Sequence, residues 1–246
     1  MNSANYTDTA PGIGAIANSD SAYNNSGFWE RLWRASGLHA VLFFLVAYLV
    51  YGYAPPAGAP SGALIEFYAG HHARILISAV ISGLAVLNLM WFAASLRTTL
   101  ADVGRDGWGA AASASSAAVG ALMLALATVT ATLAYSSSLS GSLLFISGFH
   151  DLAWADVVLS SFPRAMLIMA GTFGLWRAGL FSKKYFAVGL AAVVFVLLGG
   201  TAWMSAGFWA PDGAYSRLIS PGISLAWVLL ASRTLQKQGA SVRAQW

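Results

Sequence analysis

The stretch "LSSFPRAMLIM" (159–169) places a proline beside an arginine in a part of the chain that is otherwise apolar. In a helix, Pro163 would remove one backbone hydrogen bond and leave the carbonyl of Leu159 without its usual donor. The guanidinium of Arg164, with two serines just before it, could hydrogen-bond to such freed carbonyls. Alternatively, it could form the floor of a cavity that receives an anionic or carbonyl-bearing ligand. In a third interpretation the span is shifted and Arg164 snorkels towards the membrane interface.

Two residues are candidate partners for this guanidinium. Asp156 is the nearest carboxylate on the same predicted helix, but eight residues separate the two, which is about 12 Å along a helix axis. Direct contact would therefore need a kink, a long side chain or a water molecule. Asn88, in the middle of another apolar stretch, is the second candidate.

The remaining candidate ligand-binding residues fall at one end of the predicted spans or in the connectors there: Glu66, His72, Arg74, His150 and Asp212. Histidine and carboxylate are zinc ligands, but the adjacent His71 and His72 point in different directions on a helix, and no His-Glu-x-x-His motif is present. The sequence therefore predicts neither a metal site nor a cofactor.

The composition shows what kind of chain carries these residues. Hydrophobic residues make up 58% of its 246 residues and charged residues 9%, whereas soluble domains carry roughly 25% charged residues. These values predict an integral membrane protein with several spans, each of about 20 apolar residues. The chain has no cysteine, which excludes disulfides and thiolate metal sites. Its basic residues are dispersed over short connectors, so we expect no nucleic-acid partner.

We predict an all-α helical bundle with six transmembrane helices between a flexible N-terminal tail (1–27) and a C-terminal tail (236–246). The membrane domain covers 28–235, and its spans are predicted at 36–54, 73–96, 108–135, 152–177, 185–206 and 216–235. In the third span Ala112, Ser116 and Gly120 are four residues apart. Small residues at this spacing indicate a face on which another helix packs closely.

The basic residues indicate the orientation. With six spans, ten lysines and arginines fall on one side: Arg31, Arg34, Arg97, Arg105, Arg177, Lys183, Lys184, Arg233, Lys237 and Arg243. Only Arg74 and Arg217 fall on the other side. By the positive-inside rule both termini are cytoplasmic, in the cell inner (plasma) membrane, and the candidate site residues lie towards the exterior.

The texture of the chain, and stretches such as "GFWERLWR" (27–34) and "GFWAPDGAYSR" (207–217), resemble multi-pass integral membrane proteins of high-GC bacteria. This resemblance implies no catalytic residues. We expect a polar pocket that opens to the exterior and serves small-molecule or lipid binding, or transport, in a homo-oligomer or as an accessory subunit of a larger membrane complex. The alternative is an intramembrane enzyme in which Glu66, Asp156 or Asp212 protonates a lipid-like or isoprenoid substrate. A third hypothesis is a structural subunit without a pocket.

Overall fold

The computed structural model describes Trp33 and residues 35–137 and 143–243. Helices account for 83% of the chain, and the described residues include no strand, so the predicted all-α class is confirmed. The predicted N-terminal tail lies outside the described residues. The helices are α1 (Ser36–Tyr51), α2 (Ser61–Gly70), α3 (His72–Asp102), α4 (Asp106–Ser137), α5 (Leu143–Leu159), α6 (Ser161–Arg177), α7 (Lys183–Gly199) and α8 (Ser220–Arg243).

Four helical segments are long and apolar enough to cross a membrane: 72–102, 106–136, 145–177 and 215–237. Much of their outward surface is apolar, as is that of the shorter α1 and α7, with Leu49 75%, Val80 68% and Val188 57% exposed. Apolar surface of this extent is unfavourable in water. It is the surface expected of helices that face lipid.

The third long segment differs from the predicted span 152–177. It consists of α5 and α6, which are separated by Ser160, and α5 begins at Leu143, well before the predicted start. The break places Pro163 third in α6, within the first turn, where a missing N–H costs no intrahelical hydrogen bond. Helical hydrogen bonds flank the break, from the N–H of Ser160 to the carbonyl of Asp156 at 2.9 Å and from the N–H of Arg164 to the carbonyl of Ser160 at 3.2 Å, so the interruption is confined to Ser160.

Two further boundaries differ from the prediction. The connector between the first two spans contains α2, in which Leu64, Phe67 and Tyr68 are buried. The spacing of these residues at i, i+3 and i+4 is that of a short amphipathic helix. At the other end of the chain, α8 continues to Arg243, eight residues beyond the predicted end of the last span.

The helices enclose two hydrophobic clusters. The larger cluster joins α1, α3, α4, α6, α7 and α8. The smaller joins α2 and the loop before it to the start of α3, the end of α4 and α5. We call the end of the bundle that carries α2 and the loop 52–60 the α2 end.

The small-residue face of α4 packs against α3 as predicted. Ala112 and Ser116 are fully buried, and the Ser116 hydroxyl donates to the carbonyl of Leu89 at 3.3 Å. A Cβ atom on Gly120 would lie 3.0 Å from Val86. The helices approach closely because these positions carry little side-chain volume.

Candidate functional site

A cavity of about 390 Å³ lies inside the bundle. Its walls come from α1, α3, α4, α5, α6 and α8, and most of them are alkyl or aromatic, including Phe44, Met123, Leu126 and Leu225. Its size falls within the roughly 300–1,000 Å³ of small-molecule sites. The cavity runs from Tyr68 and Trp154 at the α2 end to Arg164 and one turn beyond.

Arg164 is buried, with 9% of its surface exposed, and it lines the inner part of this cavity. The prediction that it faces the bundle interior is confirmed. Its Nε atom donates to the carbonyl of Ser160 at 3.2 Å. Its Nη2 atom donates to the carbonyl of Val157 at 3.4 Å and to the hydroxyl of Ser161 at 3.0 Å. These acceptors lie at the end of α5, at Ser160 and at the start of α6, and the carbonyl of Ser160 also accepts from the backbone N–H of Arg164 at 3.2 Å.

Neither predicted partner of Arg164 contacts it. Among the described residues the one ion pair joins Arg97 to Asp106. Asp156 does not line the cavity, and its buried Oδ2 atom has no hydrogen-bond partner. Asn88 donates its side-chain N–H to the carbonyl of Leu84 in its own helix at 2.9 Å. Both predictions were wrong because backbone carbonyls within one or two turns are closer to the guanidinium than any side chain.

The second cation of the cavity is Arg217, at the α2 end. Its Nη2 atom donates to the carbonyl of Ala54 at 3.0 Å, and its Nε atom donates to the carbonyl of Asp212. Its guanidinium carbon lies 4.2 Å from the ring centre of Tyr53 and 4.5 Å from that of Trp154. Carbonyls and aromatic faces therefore compensate this charge.

His150 is fully buried beside the cavity, in a hydrogen-bonded chain. Its Nδ1 atom accepts from the Tyr68 hydroxyl at 2.9 Å, and its Nε2 atom lies 3.1 Å from the carbonyl of Pro56. Burial raises the pKa of Tyr68, so its hydroxyl stays protonated and donates. The indole N–H of Trp154 lies 3.2 Å from the same Nε2 atom, so Pro56 and Trp154 both contact this nitrogen.

Two neighbours of His150 hold the same loop. The indole N–H of Trp154 donates to the carbonyl of Pro55 at 3.2 Å. Asp151 accepts from the backbone N–H of Gly58 at 2.8 Å. Three side chains of α5 thus fix the loop 52–60 over the α2 end, and we assign His150 a structural part in this contact.

The other candidates are dispersed over the α2 end. His72 hydrogen-bonds through Nδ1 to the carbonyl of Ala134 at 3.0 Å, and Glu66 is exposed on α2. Arg74 lies against Gly52, where a Cβ atom would come within 3.0 Å of its guanidinium. Asp212 is half-buried and contributes its carbonyl to Arg217. Of the eight candidates, Arg164 and His150 line the cavity.

Sequence reasoning missed Arg217 and Trp154 as cavity residues. Arg217 follows an obvious turn, Pro211-Asp212-Gly213, but its neighbours Tyr53 and Trp154 are distant in sequence. Nothing in the local pattern indicates that these segments meet. Comparison with known proteins adds no family or function, since no family model, curated protein or solved structure matches the chain.

Proposed function

We propose that this chain is a six-span protein of the inner membrane, with both termini cytoplasmic, that binds an amphipathic small molecule or lipid in the cavity. Besides the four long segments, α1 and α7 have 16 and 17 residues, or about 25 Å each. The hydrocarbon layer is about 30 Å thick. Helices of this length can span it if the bilayer thins slightly around them or if polar side chains at their ends extend to the interface. With six spans, the ten-to-two distribution of lysine and arginine places the α2 end outside.

The observation that carries the binding proposal is the cavity itself. An apolar chamber of about 390 Å³ inside a membrane bundle suits an alkyl or isoprenoid chain better than a water-soluble solute. The expected polar pocket is thus replaced by an apolar cavity with a few polar groups. No described residue that lines it is Asp or Glu, so the carboxylic acid that the acid-catalysis alternative requires is not in the cavity and we do not favour that alternative.

Reporter fusions test the topology. Fusions after Gly141 and after Lys184 should report opposite sides of the membrane, because one span separates them in the six-span arrangement. Identical signals would contradict that arrangement. The result is independent of the ligand test below.

A matched pair of variants tests binding. Ala127 lines the cavity, whereas Ala125, on the same helix, is exposed and does not. We expect native mass spectrometry of the detergent-purified protein to detect one molecule of dodecanol or dodecanoate per chain. Ala127→Phe should reduce this binding at least tenfold, and Ala125→Phe should leave it unchanged. Failure of both compounds to bind, or equal binding by the two variants, would refute the proposed function.

A further inference from the structure

We propose that the cavity binds a single-chain carboxylate, with its carboxylate group on Arg164 and its alkyl chain directed towards the α2 end. This inference rests on the proposed function and specifies its ligand. It follows from the charge of the cavity, the free donors of Arg164 and the apolar walls.

The charge of the cavity is unbalanced. Arginine stays protonated in proteins, and the acceptors that Arg164 finds in the described part of the chain are two carbonyls and one hydroxyl, all neutral. A buried cation without a counter-ion is unfavourable. An anion that enters the cavity would offset that cost, whereas a neutral ligand of the same shape would not.

The hydrogen bonds of Arg164 show which of its atoms a ligand can reach. Nε and Nη2 are directed at acceptors on α5 and α6. Nη1, with two N–H groups, has no acceptor among the described residues, and the residue lines the cavity. A guanidinium nitrogen of this kind, in an apolar site, is a donor for a charge-assisted hydrogen bond.

The number of donors favours a carboxylate over a phosphate. The cavity hydroxyls of Ser160 and Ser224 donate to helix carbonyls, at 2.7 Å and 3.0 Å. These two hydroxyls therefore add no free donor to Nη1, which offers one nitrogen and one unit of positive charge. These match a monoanionic carboxylate, whereas a phosphate ester carries about −1.5 to −2 charges and needs several donors.

Arg217 does not provide an equivalent site. Two of its nitrogens donate to carbonyls, and the rings of Tyr53 and Trp154 lie over its guanidinium. Its charge still contributes a positive potential at the α2 end. Among the described residues that line the cavity, none carries a carboxylate that would pair with it.

The test compares dodecanoate, dodecanol and dodecyl phosphate by native mass spectrometry of the whole protein. Wild type should bind dodecanoate roughly tenfold or more tightly than dodecanol, as expected for a charge-assisted hydrogen bond in a dry site. Arg164→Gln should abolish this preference and keep dodecanol binding, and Arg164→Lys should restore part of it. Arg177→Gln is the control, because Arg177 is exposed on the same helix.

Three results would overturn the inference while leaving the proposed function standing. These are equal binding of dodecanoate and dodecanol by wild type, a preference that survives in Arg164→Gln, and tighter binding of dodecyl phosphate. If Arg164→Gln does not fold, ¹³C NMR of carboxyl-labelled dodecanoate bound to the wild-type protein tests the contact with Arg164 instead. The bound carboxyl should stay ionised to lower pH than dodecanoate in micelles, since a guanidinium favours the charged form. If bound dodecanoate and micellar dodecanoate become protonated at the same pH, the contact with Arg164 is refuted.

Discussion

Replacement of Gly171 by alanine should destabilise the bundle, although alanine is the better helix former. Gly171 lies in α6 against the indole of Trp227 on α8, and a Cβ atom there would come 2.3 Å and 2.6 Å from two ring atoms. Carbon atoms in contact are normally about 3.5–4.0 Å apart. The ring would therefore have to move by more than about 1 Å.

Trp227 has little freedom to make that movement. It is 3% exposed, its Nε1 atom donates to the Thr172 hydroxyl at 2.9 Å, and its ring packs edge-on against Phe92. Overpacking of a well-packed core costs about 1–3 kcal/mol, and a strained or lost hydrogen bond adds about 1 kcal/mol. The higher helix propensity of alanine offsets about 1 kcal/mol. We expect the free energy of unfolding to fall by about 1–3 kcal/mol.

The measurement is reversible unfolding of purified protein in mixed micelles, with increasing SDS and tryptophan fluorescence as the signal. Gly83→Ala is the matched control, because a Cβ atom on Gly83 in α3 meets nothing within 4 Å. This variant should be neutral or more stable by up to about 1 kcal/mol. Equal stability of the two alanine variants would show that α6 and α8 are not in close contact at this point.

Two further substitutions test the cavity and the hydrogen-bond network at its α2 end. Tyr68→Phe removes the hydroxyl that contacts the buried Nδ1 atom of His150, and it should lower the free energy of unfolding by about 1–3 kcal/mol. Tyr185→Phe is the control, because Tyr185 is exposed. An equal loss of stability in both variants would contradict the hydrogen bond between Tyr68 and His150. Arg164→Leu should leave the unfolding free energy of the ligand-free protein unchanged or raise it by about 1–4 kcal/mol, because it removes a buried, unpaired charge. A loss of 2 kcal/mol or more would show that the bonds of Arg164 to α5 outweigh its desolvation.

The helical class and the interior position of Arg164 could be predicted because both follow from the composition of local segments. A run of apolar residues must form a helix to satisfy its backbone hydrogen bonds in a bilayer. A charged side chain in the middle of such a run is unfavourable if it faces lipid. Helix α2 could have been predicted as well, since Leu64, Phe67 and Tyr68 show its periodicity.

The partners of these residues could not be predicted. Tyr68 and His150 are 82 positions apart, and their contact depends on how α2 packs on α5. The acceptors of Arg164 are backbone carbonyls, which every residue has, so no residue type identifies them. Asp156 was favoured because its charge is visible in the sequence, whereas nothing in the sequence marks the carbonyls of Val157 and Ser160 as the acceptors.

The unequal lengths of the helices have a consequence for the membrane around this protein. The segments 72–102, 106–136 and 145–177 have 31, 31 and 33 residues, or roughly 46–50 Å as helices, whereas the 17 residues of α7 reach about 25 Å. Thr172, in the segment 145–177, packs directly on Gly189 of α7, so a long segment and a short helix share one contact. A bilayer of uniform thickness cannot match both. In the proposed six-span arrangement, the lipids beside α7 should therefore be compressed relative to those beside α3 and α4, and the stability of the α6–α7 contact should depend on acyl-chain length.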